Sequence, residues 1–173
     1  MQQDVLQGSG ISVSPETAAK MLYSVEFFTG TGYSRIRNAY EQPDADARST
    51  ETMRTLDDYL RAAPKWEGRV YRGINVSIET AQELLSGKPI DMHGPSSWSS
   101  DQGVAESFSD GYRDVRIVFE MEKNKSGVSV THIGSCGDSE AEVLAPSGIR
   151  YTPERVRRVR RGKSEIIYID VHE

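Results

Sequence analysis

Glu140 and Glu142 stand one residue apart in the run Ser139-Glu140-Ala141-Glu142-Val143-Leu144, whose apolar end reads as a buried strand over Glu140 to Leu144. Side chains at i and i+2 share one face of a strand, so both carboxylates are expected to point into the same space, with backbones about 7 Å apart. Like charges on a half-buried surface repel. Such a pair suits stabilising a positive charge that develops at a sugar carbon, or holding a cationic nucleophile against it. A solvated strand edge could carry the same two residues without chemistry, so the rest of the chain has to decide.

Two further constellations bear on that choice. In Val70-Tyr71-Arg72-Gly73-Ile74 an arginine interrupts an otherwise apolar strand. A buried guanidinium must find an anion, and its planar fork suits a phosphate or a carboxylate, an internal glutamate included. Gly73 beside it would let a ligand approach the backbone. In Ser96-Ser97-Trp98-Ser99-Ser100-Asp101 hydroxyls alternate along a short strand that runs into a helix, a pattern that by itself is only a strand end with an N-cap.

The elements that must position these residues change character near Gly68. Before it, apolar residues recur at helical spacing. Ser14 as N-cap, with Pro15 and Glu16 in the first turn, opens a helix through Met21, Leu22, Val25 and Phe28 that Gly30 ends. A short helix is expected over Ser34 to Tyr40, then a polar loop over Gln42 to Arg48. A further helix from about Ser49 carries Met53, Leu56, Tyr59 and Leu60 as far as Pro64. After Gly68 strands dominate: Arg69 to Ile74, Ser97 to Ser100, Val115 to Met121, Val128 to Thr131, Glu140 to Leu144, Arg155 to Arg160 and Glu165 to Val171. Helices from Ser77 to Gly87 and from Asp101 through Phe108 interrupt them. The chain therefore reads as a single α+β domain over residues 1–173, a helical cap (1–67) followed by a β-rich core (68–173).

Composition narrows the chemistry. With 173 residues, 36% of them hydrophobic, and a net charge of -5, the chain can bury a real core and lacks the bias of a disordered segment. The single cysteine, Cys136, excludes an internal disulfide framework, and His93, His132 and His172 lack metal-ligand spacing, so no metal is expected. No apolar run approaches a transmembrane length. The start, Met-Gln-Gln-Asp, has neither a basic n-region nor an apolar h-region, which predicts no signal peptide and no membrane partner. The chain is then expected to work in the cytoplasm of its producer, or to be delivered by another device.

In their order along the chain, an arginine strand, a Ser-x-Ser strand and then Glu-x-Glu, these motifs resemble the mono-ADP-ribosyltransferases of the arginine-serine-glutamate, toxin-like clade. Phe28-Thr29-Gly30 with Tyr33 and Ile36 is similar to the aromatic-Thr-Gly segment of the helical part in bacterial toxin members. Phe108 follows Ser99 by the spacing at which they place an aromatic, and the resemblance spans Ser14 to Val171. Ser-Ser-Trp-Ser and the ending Glu-Ala-Glu-Val-Leu-Ala-Pro-Ser-Gly look most like domains of bacteriophage minor head proteins and related toxins. The resemblance implies a helical cap packed on two facing, mostly antiparallel sheets, with NAD+ as co-substrate in the cleft between them.

It also implies roles. Arg72 would hold the NAD+ phosphates, and the Gly73 backbone the nicotinamide amide. Ser97 would fix Glu142, Ser99 would support the strand, and Phe108, equally well placed for a core position, would stack on nicotinamide. Glu142 would bind the ribose hydroxyls and stabilise the oxocarbenium-like cation, while Glu140 would capture and help deprotonate the nucleophile. The loop Ile133 to Asp138 would face a protein substrate. The implied activity is mono-ADP-ribosylation of a target protein, on arginine, with NAD+ hydrolysis or an inactive structural module of a phage particle as the alternatives; an immunity or carrier protein would be a further partner.

Three positions depart from the pattern. Trp98 replaces the threonine of Ser-Thr-Ser, with its side chain expected in the core behind the site. The substrate-facing loop lacks the aromatic of several toxins. Gly111 stands where some place a second arginine, for which Arg113 could substitute. The run Arg155-Val156-Arg157-Arg158-Val159-Arg160-Arg161 raises a nucleic-acid reading. In an acidic chain it reads instead as a charged edge strand, and no nucleic-acid partner is expected.

Overall fold

Helix α1 (Pro15–Thr29) begins where the sequence places its cap. The Ser14 hydroxyl accepts the Thr17 amide at 3.2 Å, and its carbonyl accepts that of Ala18 at 2.9 Å. The computed structural model describes residues 13–29, 47–131, 133 and 141–173. The expected helix at Ser34 to Tyr40, the residues Glu140, His132 and Cys136, and most of the substrate-facing loop lie outside them.

Helix α2 (Ala47–Ala62) starts two residues before the expected Ser49. It packs with α1 through Met21, Leu22, Val25, Phe28, Leu56 and Leu60. The same core takes in Val128, Val130 and Leu144, so the helical layer is seated on the strand that holds Leu144 and on its neighbour.

Strands follow in the order β1 (Val70–Val76), β2 (Ile90–Met92), β3 (Ser96–Ser99), β4 (Val115–Met121), β5 (Val128–Ser129), β6 (Glu142–Ala145), β7 (Ile149–Arg161) and β8 (Ser164–His172). Helix α3 (Ile78–Leu84) follows β1 and α4 (Gln102–Ser109) follows β3. Their caps are those the sequence suggests. Ser77 accepts the Thr80 amide, and Asp101 accepts those of Gly103 and Val104.

The eight strands form one ladder in the order β2-β7-β8-β4-β1-β3-β6-β5, with β4 and β8 parallel. The ladder narrows at one point. Strand β1 pairs with β4 along its whole length but with β3 only at Tyr71↔Ser99. That single bridge divides a five-stranded half from a three-stranded half, β3-β6-β5. The halves face each other across a shared core. Trp98 of β3 lies 5.1 Å, ring to ring, from Tyr151 of β7 and 6.5 Å from Phe119 of β4.

Strand β4 keeps both expected ends and most other boundaries shift by one or two residues, while the starts of β7 and β6 differ for a local physical reason. Strand β7 begins at Ile149 rather than Arg155, because Ile149 to Tyr151 pair with the three-residue β2, and a register shift between Pro153 and Arg155 leaves Glu154 unpaired in the ladder next to the residue that has no amide hydrogen. Strand β6 begins at Glu142 rather than Glu140. Ala141 has φ +44°, in the left-handed region, so the alternation that would put both glutamates on one strand face stops there.

Candidate active site

The register of β3 on β6 sorts the serines from the tryptophan. Ser97 lies opposite Leu144 and Ser99 opposite Glu142, so these four share a face, while Trp98, Val143 and Ala145 share the other. Leu144 belongs to the helical core and Trp98 to the core between the half-sheets. Trp98 is 3% exposed, and its indole N–H donates to Ser96 Oγ at 2.9 Å, as expected for a residue turned away from the site.

On the serine face Glu142 is 5% exposed. Ser97 Oγ donates to Glu142 Oε1 at 2.6 Å, the short distance of a hydroxyl bonded to a carboxylate. Ser99 Oγ accepts the Asp101 amide at 3.0 Å and so ties the strand to the start of α4. Arg72, partly buried on β1, donates from Nη1 to the Ser97 carbonyl at 2.8 Å. Arg72, Ser97 and Glu142 are thus linked in one chain of hydrogen bonds that crosses from one half-sheet to the other.

Gly73 is glycine for a reason the sequence does not reveal. A Cβ built there would meet the Ala105 carbonyl oxygen at 1.7 Å and the Ser109 nitrogen at 2.9 Å. The space a side chain would take is filled by α4, which lies directly on β1. Phe108, on that helix, is 54% exposed, so the core alternative does not hold. The loop after it is held by Asn75, whose Oδ1 accepts the Arg113 amide at 2.7 Å, and a side chain at Gly111 would collide with that same oxygen at 2.6 Å.

Sequence reasoning passed over the residues that hold α4 in place. Arg116 donates to the Glu106 carbonyl at 2.9 Å, to Ser109 Oγ at 3.2 Å and to Ser164 Oγ at 3.0 Å. The Tyr168 hydroxyl donates to Glu106 Oε1 and accepts from Gln102 Nε2 at 2.9 Å. Burial, with the Glu106 carboxylate beside it, pushes the Tyr168 phenol up to about 12. For Glu106 itself burial favours the neutral acid, but hydrogen bonds from Arg161 and Tyr168 outweigh it and lower the pKa. No motif marks these residues, and Tyr168 meets Gln102 and Glu106 only across 66 and 62 positions of sequence.

The basic run is largely neutralised within the fold. Arg155 pairs with Asp170 at 2.9 Å, Arg157 with Glu120 and Asp170 at 2.6 and 2.7 Å, Arg158 with Glu165 at 2.7 Å and Arg161 with Glu106 at 3.0 Å. Beyond Tyr151 the described pairings of β7 are with β8 alone, which makes that stretch a charged edge. A cavity of about 560 Å³ between α3 and the start of β4 is lined by residues such as Leu85, Arg113 and Lys163 and contains neither Arg72, Ser97 nor Glu142. Among the described residues no group of three or more His, Cys, Asp or Glu side chains is placed to hold a metal, and no helix is long and apolar enough to cross a membrane.

Helical layer, divided ladder and the position of α4 on β1 together are the fold of the ADP-ribosyltransferase toxins. The Vis ADP-ribosyltransferase of Vibrio splendidus, solved in complex with agmatine, superposes with a TM-score of 0.73 over 99% of this chain and 83% of its own, at 23% identity. Plx2a, an ADP-ribosyltransferase toxin from Paenibacillus larvae, gives 0.68 over 92% of this chain and 86% of its own at 17% identity. C3stau2 from S. aureus, solved with NAD, gives 0.68 over 98% and 92% at 17% identity. In sequence, the chain is 27% identical over 131 residues to a Mycobacterium avium (strain 104) protein that carries the name NAD(+)–arginine ADP-ribosyltransferase Mav. The match takes in 75% of this chain but only 15% of that relative. No family model matches the chain.

Proposed function

We propose that the chain transfers ADP-ribose from NAD+ to a guanidinium acceptor on a protein, releasing nicotinamide. The observation that carries this is the buried Glu142 carboxylate, oriented by Ser97 on a strand whose neighbour is tied to Arg72. The name of the Mycobacterium avium relative and the agmatine bound to Vis, itself a guanidine, support the acceptor class.

In this reading Arg72 binds the cofactor phosphates as a bidentate fork, Phe108 stacks on the nicotinamide ring and the Gly73 backbone meets its amide. The bond between ribose C1′ and the nicotinamide nitrogen breaks, and its electron pair neutralises the departing pyridinium. Positive charge then develops at C1′ beside Glu142, whose carboxylate strengthens its interaction as that charge grows. A guanidinium keeps its proton near neutral pH. Glu140 therefore accepts that proton as the acceptor nitrogen bonds to C1′. The bacteriophage setting and any immunity or carrier partner stand as expectations of the sequence.

The test is nicotinamide release and label transfer from NAD+ with agmatine or cell lysate as acceptor, followed by mass spectrometry of the modified site. Glu142→Gln should lose both release and transfer. Glu140→Gln should keep slow release into water and lose transfer. Equal loss of both in a folded Glu140 variant would reject the assigned division of labour. Release that ignores the acceptor would make the chain an NAD glycohydrolase. No release, binding heat or melting shift at millimolar NAD+ would leave a structural module.

A further inference from the structure

Strand β6 is only four residues long, so its own ladder gives Glu142 few hydrogen bonds to hold it. It is pinned at both ends instead. At the start the Ser100 amide donates to the Ala141 carbonyl at 3.0 Å and the Val130 amide to that of Glu142 at 3.0 Å. Beyond the other end, every polar group of Ser147 is taken by two residues one turn apart on α2. Asp57 Oδ1 accepts the Ser147 amide at 2.9 Å, Asp57 Oδ2 accepts its hydroxyl, and Arg61 Nη2 donates to its carbonyl at 2.9 Å. Ser147 is buried, so these bonds are not exchanged for water without cost. The Gly148 amide then donates to the Met92 carbonyl at 2.8 Å, which ties the same turn to β2.

We infer that Asp57 is a positioning residue for Glu142: with Arg61 it grips the β6–β7 turn and fixes the placement of β6 against the helical layer. Packing does not explain this arrangement, because Leu56 and Leu60 already bury the apolar side of α2 and Leu144 the matching side of β6. A carboxylate and a guanidinium at i and i+4 on the polar side of α2 commonly pair with each other. Here both are directed at one serine, 90 and 86 residues away.

The consequence for turnover rests on the proposed transferase reading, so the experiment has two arms. Hydrogen exchange of the whole chain reads the clamp itself. Asp57→Ala should lower protection at Val143, Ala145 and Val130 at least tenfold while α3 and β8 amides keep theirs. Nicotinamide release reads the positioning: Asp57→Ala and Ser147→Ala should each lower kcat about 10- to 100-fold with KM for NAD+ changed less than about twofold. Asp57→Asn, which keeps an acceptor for the amide, should recover most of the rate. Leu56→Val, assayed well below its melting temperature, is the control for lost stability and should leave kcat unchanged.

Unchanged exchange at those three amides in Asp57→Ala overturns the clamp. Normal kcat in a folded Asp57→Ala, or an equal fall in Leu56→Val, overturns the positioning role. A wild-type chain without turnover rejects the transferase reading while the exchange arm still decides the clamp.

Discussion

Gly73 of β1 and the Ala105 carbonyl of α4 are so close that a single added methyl group would sit 1.7 Å from that oxygen. The contact is backbone against backbone, so no side chain can swing aside to relieve it. Gly73→Ala must therefore push α4, and Phe108 with it, away from the sheet. The expected cost is about 1–3 kcal/mol or more of folding stability, by chemical denaturation. Calorimetry should show weakened NAD+ binding in the fraction that folds. Wild-type stability in the variant would mean that α4 is not seated as described.

Phe108 provides the complementary case. Because the ring is more than half exposed, its removal should change stability by no more than about 0.5 kcal/mol. Phe108→Ala is expected to melt like wild type and to bind NAD+ more weakly, whereas Phe108→Tyr should bind normally. Equal affinity in all three proteins would remove the ring from the cofactor site.

Arg72→Lys separates cofactor binding from scaffolding. The guanidinium donates to the Ser97 carbonyl, and losing that bond should lower stability by about 1 kcal/mol. If it also grips the NAD+ phosphates, exchanging the fork for a point charge should weaken binding by about 1–3 kcal/mol. A variant that binds normally but unfolds much earlier would make Arg72 a structural residue.

Alkaline pH should loosen the support of α4. Burial, with the Glu106 carboxylate next to it, moves the Tyr168 phenol from its ordinary 10.0 up to about 12. The folded chain therefore holds that proton more tightly than the unfolded chain. The resulting stability is complete below pH 10 and is lost as pH rises toward 12. Tyr151, likewise pushed up to about 12 by burial, adds to the same trend. Denaturation midpoints measured across that window should fall for wild type and fall less steeply for Tyr168→Phe; identical slopes would show that Tyr168 does not contribute.

Much of this was legible because it is local. Ser14, Ser77 and Asp101 announce three helix starts, and Val115 to Met121 is bounded as its composition predicts. The alternation Ser97-Trp98-Ser99 foretold which side chains would share a face, since a strand period of two allows no other outcome. What escaped was set by distance or by length. Strand β2 has three residues and no pattern of its own. The bonds from Asp57 to Ser147 and from Tyr168 to Glu106 depend on how layers stack, which no window of sequence reports. Ala141 misled for another reason. Nothing in an alanine advertises a left-handed backbone, and one such residue makes the strand begin two positions late, at Glu142.

The one-pair bridge between Tyr71 and Ser99 means that almost no backbone bonding fixes how far apart the two half-sheets stand. Their separation is gauged by what is wedged between them, chiefly Trp98 against Phe119 and Tyr151. The aperture between them is accordingly a property of aromatic volume in the interior. It can be widened or narrowed by exchanging a buried ring while every strand keeps its register, so the opening between the half-sheets is adjustable from behind, through the rings of the interior core.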